Sequence, residues 1–184
     1  MLLKLYKKAL PSHITQKFSP QHRAIDLAFG YGTFLVAPED CFVYSILMGE
    51  KWEDKPGELD RGYGIVLRHL TELEIDYSYW HCLPVFPVKV GEKVKRGQIV
   101  AQMGNSGLVK TFVNGEWKIV PLEERTKPPY PGTHTHFVVR KEFFPVDPVP
   151  LIDWNTPVNY SFLDVIRASR NIFEAMINLI KNLR

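Results

Sequence analysis

The sequence predicts an all-β domain, an antiparallel β-sandwich or partly open barrel, with an amphipathic α-helix at its C-terminal end. Three observations predict it. Glycine- and proline-centred turns punctuate residues 18–147 at short intervals: Gly30-Tyr31-Gly32, Pro56-Gly57, Gly62-Tyr63-Gly64, Gly104-Asn105-Ser106-Gly107, Asn114-Gly115 and Pro131-Gly132. The runs between them are rich in β-branched and aromatic residues, which suit a pleated, half-buried surface. No helical period interrupts that stretch, whereas one begins after residue 159.

The expected strands are residues 33–37, 41–48, 64–69, 75–82, 98–103, 118–120 and 134–140. Many short strands with turn signals between them fit two packed sheets or a sheet closed on itself. Residues 108–131 form a long segment between two turns, holding Trp117, an Asn114-Gly115 hairpin signal and Pro128-Pro129-Tyr130-Pro131. Segments this long inside a compact domain are usually functional or disordered; a hairpin walling a substrate groove is the expectation. The Pro-rich stretch 144–157 leads to the tail, where Phe162, Val165, Ile166, Phe173, Met176, Ile177 and Ile180 recur at helical spacing. Ser161 and Asp164 resemble a capping pair, and Lys181 and Arg184 suit the C-terminal end of a helix. Docking of this helix on the domain is expected, with a homo-oligomer or membrane-surface contact as alternatives. The chain thus divides into an N-terminal extension (1–17), the β-domain (18–147), a Pro-rich linker (148–158) and the helix (159–184).

With 184 residues the chain is long enough for one real hydrophobic core. Its net charge of +3, from 23 basic and 20 acidic residues, is spread without a Lys/Arg block, so no nucleic-acid partner is expected. A mild positive bias suits a polyanionic surface. No stretch is long and apolar enough for a transmembrane segment. Residues 1–10 are basic, and lysines break their apolar run, so the core of a signal peptide is lacking. Two cysteines, Cys41 and Cys82, make no disulfide framework; two buried free thiols are expected, although the sequence leaves pairing open.

The chemistry-bearing residues are six histidines: His13, His22, His69, His81, His134 and His136. His134 and His136 are two apart in a strand-like run and so share a face. His22 and Asp26 are four apart, with Ile25, Leu27 and Phe29 on the alternate positions, so in an extended segment they too share a face. By the same parity Tyr77, Tyr79 and His81 lie opposite Trp80 and Cys82; if His81 faces a site, Cys82 faces the core and is no ligand. His13 and His69 read as structural. Two such pairs can converge across a sheet into two imidazoles and a carboxylate with further imidazoles nearby. That donor set suits hydrolytic zinc, which takes three protein N/O ligands and keeps a position open for water.

The ordered set of motifs is more specific than any one of them. His22-Arg23-Ala24-Ile25-Asp26, Gly62-Tyr63-Gly64, Tyr77-Ser78-Tyr79-Trp80-His81, the 90–98 run Val-Gly-Glu-Lys-Val-Lys-Arg-Gly-Gln, Gly104-Asn105-Ser106-Gly107 and His134-Thr135-His136 follow one another. In this order they resemble the lysostaphin-like M23 metallopeptidases, over roughly residues 18–140. The resemblance implies a lysostaphin-like fold built on a duplicated hybrid motif, with the metal in a groove between loops. It implies Zn2+ held by His22, Asp26 and His136, with His81 and His134 as catalytic histidines, and hydrolysis of peptide bonds in bacterial peptidoglycan, in stem or cross-bridge. Without a classical signal peptide, such an enzyme would be released by lysis, be phage-encoded or be exported unconventionally.

Two departures from the family pattern stand out. Ala24 occupies a position where glycine is usual, and the 108–131 segment replaces a short link. Competing readings are a biotinyl- or lipoyl-type carrier, suggested by the 88–100 run but lacking a lysine at the hairpin tip, and a phosphocarrier domain, which would not need Asp26. A catalytically inactive relative acting as a wall-binding or virion structural module is the remaining alternative.

Overall fold

A computed structural model describes residues 13–47, 61–152 and 162–182. Their main sheet contains eight strands. Its path runs β1 (Ile14–Gln16), β2 (Ile25–Leu27), β11 (Thr135–Lys141), β6 (Ile75–Cys82), β5 (Tyr63–His69), β4 (Cys41–Leu47) and β7 (Lys93–Val94), with β12 (Phe144–Val146) paired to β11. Two antiparallel pairs stand apart, β3 (Phe34–Val36) with β8 (Ile99–Gln102) and β9 (Lys110–Val113) with β10 (Glu116–Ile119). A single turn of helix, α1 (Leu122–Arg125), follows β10, and α2 (Phe162–Asn182) closes the chain.

Period-two alternation makes one face of the main sheet apolar. Ile25 and Leu27 of β2, Val43 of β4, Ile65 and Leu67 of β5, Tyr77 and Tyr79 of β6, and Phe137 and Val139 of β11 are all buried there. The β3–β8 pair covers that face with Leu35, Val100 and Ala101, and the Tyr79 hydroxyl donates to the Val36 carbonyl across the gap at 2.8 Å. Burying each large apolar side chain contributes on the order of 2 kcal/mol, so this inner layer is what fixes the sheet's shape.

The outer face carries the functional groove. Ala24, Trp80 and Val138 form a small buried cluster on it. Gly64 lets the indole lie flat, since a Cβ there would meet Trp80 Cε3 at 2.4 Å.

Several elements differ from the sequence expectation. The sheet takes in Ile14–Gln16, within the stretch set aside as an extension, and Phe144–Val146, within the Pro-rich stretch, pairs with β11. Pro145 is tolerated because β12 is an edge strand, where a missing donor leaves no gap in the ladder. Lys110–Val113 is a strand that the sequence pattern did not single out, and its partner extends back to Glu116. Cys41 and Cys82 are both buried and free. Helix α2 touches the domain through Val165 and Ala168, which pack on Val36 and Ile99, and through Asn171, whose Nδ2 donates to Pro87 O at 2.8 Å. Ile166, Phe173, Met176 and Ile177 remain exposed, so docking uses one edge of the apolar stripe. Among the described residues no helix is long and apolar enough to cross a membrane. Ser161, Met48, the Pro56-Gly57 turn and residues 153–158 of the linker lie outside the described residues.

Candidate metal centre

Strands β2 and β11 are antiparallel neighbours, and their register sets Asp26 directly opposite His136. Ile25, Leu27 and Phe137 turn into the core, so Asp26 and His136 turn outward together. His22 reaches them differently. Ser19 and His22 exchange backbone hydrogen bonds at 2.9 and 3.1 Å, and Ser19 Oγ accepts from His22 N at 3.1 Å. A tight loop, not an extended segment, therefore throws the imidazole back over Asp26, which corrects the parity reading of residues 22–26.

The ligand atoms converge. His22 Nε2 lies 3.2 Å from both Asp26 Oδ1 and His136 Nδ1, and His136 Nδ1 lies 2.9 Å from Asp26 Oδ1. Ligand atoms about 2.0–2.1 Å from a tetrahedral zinc stand about 3.3 Å apart, so the spacing fits such an ion. The protonation pattern fits as well. His22 Nδ1 faces the Lys17 carbonyl at 3.2 Å; a carbonyl only accepts, so Nδ1 donates to it and Nε2 is the atom turned to Asp26 and His136. The carbonyl also fixes the ring's tautomer and orientation, as outer partners of metal-bound histidines do. Burial pushes the Asp26 pKa up, but the hydrogen bond from His136 and the charges of His134, His136 and His22 outweigh it, and the carboxyl sits below its ordinary range.

His81 and His134 stand beside this cluster with ring centroids 4.6 Å apart. Simple alternation would put His81 with Tyr77 and Tyr79, yet both tyrosines and Cys82 are in the core. The strand pairing explains the difference: Tyr63 pairs with Cys82 but Ile65 with Tyr79, so β6 carries an extra residue, and His81 adopts a positive φ of 59°. Such a bulge re-aims a side chain. His81 Nδ1 donates to Ser106 O at 2.7 Å, and His134 Nδ1 donates to Gly132 O at 2.8 Å. Both rings thus keep Nε2 for other work; that of His134 is 3.9 Å from Asp26 Oδ2. Burial, reinforced by His134, pushes the His81 pKa down to about 3 and favours its neutral form.

Supporting residues went unnoticed as such in the sequence. Ser106 Oγ donates to Cys82 O at 2.8 Å and accepts from Tyr63 N at 2.9 Å, which locks the segment that holds His81. Its signal was the Gly104–Gly107 turn motif, whose polar residues looked like ordinary turn chemistry. His69 and His13 lie elsewhere: His69 Nδ1 accepts from Thr71 N and Glu72 N at 3.3 and 3.0 Å, and His13 stacks on Phe29 at 4.3 Å.

The 108–131 segment forms a hairpin around Asn114 and Gly115, both at positive φ (52° and 86°), as a tight two-residue turn requires. Phe112 and Trp117 on this hairpin line the same groove, about 900 Å³ in volume, as His22, His81, His134 and His136.

Residues 20–148 match the model of Peptidase family M23. Among solved structures, the chain is similar to LytU, with 28% identity and a TM-score of 0.54 over 76% of this chain and 83% of that one. It is similar to a zinc-containing peptidase from Vibrio cholerae, with 22% identity and a TM-score of 0.51 over 80% of this chain and 37% of that one. It is also similar to lysostaphin in solution, with 19% identity and a TM-score of 0.53 over 80% of this chain and 53% of that one. The last two likenesses concern the fold. No curated protein sequence matches the chain.

Proposed function

The chain belongs to peptidase family M23, and from that premise we propose that it is a zinc-dependent endopeptidase that hydrolyses peptide bonds of bacterial peptidoglycan. The observation that carries this reading is the meeting of His22 Nε2, Asp26 Oδ1 and His136 Nδ1 within 3.2 Å of one another. Membership of the family and the similarity to LytU support it.

In this reading His22, Asp26 and His136 hold the ion. Bound zinc supplies Lewis acidity, acidifying water and polarising the scissile carbonyl. The remaining roles fall to side chains. His81 and His134, each anchored through Nδ1, hold or move a proton at Nε2 and stabilise the oxygen on which negative charge develops. Arg23 and Thr133 line the groove beside the ligand set and are the side chains placed to meet the peptide. The loss of conformational freedom is taken before the reaction, because both catalytic rings are already fixed by backbone carbonyls.

The test combines metal analysis of the purified protein with turbidity loss of purified peptidoglycan and mass spectrometry of the released fragments. One zinc per chain and new peptide termini are expected, with His134→Ala keeping the zinc and losing cleavage. Zinc binding with no fragment from walls of several cross-bridge types would sink the enzyme reading and leave a wall-binding module.

A further inference from the structure

The β9–β10 hairpin holds neither the metal ligands nor the two anchored histidines, yet it is built securely into the domain. Arg125 is 2% exposed and donates to the carbonyls of Val120 and Gly107. Asn105 Nδ2 donates to Arg125 O and Pro131 O, each at 3.0 Å, and so ties the C-terminal part of the segment to the loop beside His81. Val109 and Val120 are buried at the hairpin's base, linked by a backbone hydrogen bond of 3.0 Å. Gly132 fits against both, since a Cβ there would meet Val109 Cγ2 at 2.8 Å.

From this fixed base the hairpin presents two large aromatic rings to solvent. Phe112 and Trp117 are cross-strand partners with centroids 5.3 Å apart, and they are 59% and 62% exposed. Lys110 shares their face by strand parity, and all three line the metal groove. Exposed aromatic surface held rigidly beside a site marks a contact surface, and such rings lose little freedom on binding.

We propose that the Phe112–Trp117 face binds a pyranose ring of the glycan strand that carries the scissile peptide, so that the protein selects glycan-linked peptides over free ones. This rests on the peptidoglycan reading given above. Peptides are usually held by main-chain hydrogen bonds along a strand edge, whereas this hairpin turns a side-chain face to the groove. The exposed rings are inclined at 59° to one another, and each offers an apolar surface that matches the C–H face of a sugar ring, with the ring's hydroxyl and amide groups left to meet Lys110 on the same face. Continuity places it: the peptide at the metal and the sugar at the hairpin belong to one polymer, and both lie in one groove.

Two measurements test it. The first compares kcat/KM on a cross-linked peptide dimer with and without its disaccharides. A preference of at least tenfold for the sugar-bearing form is expected in the wild type, falling to about one in Trp117→Ala and Phe112→Ala. An equal preference in wild type and variants overturns the proposal, as does an equal loss on both substrates, which would mean that the rings hold peptide. The second measurement is calorimetric titration of the zinc-loaded protein with an N-acetylglucosamine tetramer. Saturable binding that Phe112→Ala abolishes supports the platform even if no peptide is cut, in which case the peptidase reading alone fails. Absence of tetramer binding together with no sugar preference overturns the platform while leaving peptide cleavage intact.

Discussion

Gly62 is far from the ligand set in sequence but holds the key to His81. It sits at φ +64°, and a Cβ there would lie 2.4 Å from Ser106 C, 2.4 Å from Ser106 Oγ and 2.5 Å from Gly107 N. Ordinary contact begins near 3.4 Å, so in Gly62→Ala the 106–107 backbone must retreat by about 1 Å. Left-handed backbone costs a residue with a Cβ about 1–2 kcal/mol, and overpacking typically adds about 1–3 kcal/mol. At about 2–4 °C per kcal/mol for a chain of this size, Tm should fall by roughly 5–15 °C. The retreat also moves the Ser106 carbonyl, which receives the His81 Nδ1–H at 2.7 Å. A 1 Å misplacement of a catalytic group can cost about 100-fold in rate, so kcat on a peptide substrate should drop by about that factor. Zinc content should not change, because His22, Asp26 and His136 make no contact with Ser106. Gly91→Ala is the control: φ is +84° there with nothing within 4 Å of the added Cβ, so it carries the backbone strain alone. Assays run well below both melting temperatures compare the two variants. If Gly62→Ala turns over as fast as Gly91→Ala, the Ser106 carbonyl does not position His81 and the reasoning is refuted.

Two further outcomes are expected. Zinc at about 100 times its Kd should stabilise the wild type by about 2.7 kcal/mol, a rise in Tm of roughly 5–10 °C by differential scanning calorimetry; His22→Ala should show no such rise, and an undiminished one would remove His22 from the ligand set. In the metal-stripped protein, folded His81 takes up its proton at about pH 3, whereas the unfolded chain takes it up near 6.5. The unfolded state therefore binds more protons between those values, and stability falls as pH is lowered through that window. Asp26, also lowered, adds the same sign only below about pH 3.8. Urea titrations at pH 7 and pH 5 should show the loss, and His81→Asn should flatten it; an unchanged slope in the variant would place the proton linkage elsewhere.

How the site came to be legible in the sequence, and where it did not, follows from which structural features alternate. Asp26 and His136 could be read because each lies in a strand whose neighbours, Ile25, Leu27 and Phe137, go inward, and alternation is a local property of the chain. The all-β architecture was legible for the same reason, as was the terminal helix from its apolar period. His22 and His81 obey no alternation. One is delivered by the turn closed through Ser19, the other by an extra residue in β6 that only the pairing with β5 reveals. Nothing local to residues 75–82 announces a bulge, since its cause is the register of Tyr63 against Cys82 and of Ile65 against Tyr79. Strand β9 stayed hidden because Lys110, Thr111, Phe112 and Val113 face solvent to varying degrees, with no buried side to impose a pattern. The same lack of burial that made this strand hard to read leaves its aromatic rings exposed at the groove. Tyr44 of β4 and Phe144 of β12 are exposed too, but Phe112 and Trp117 are paired with each other and line the groove, on a hairpin whose base is anchored through the buried Arg125.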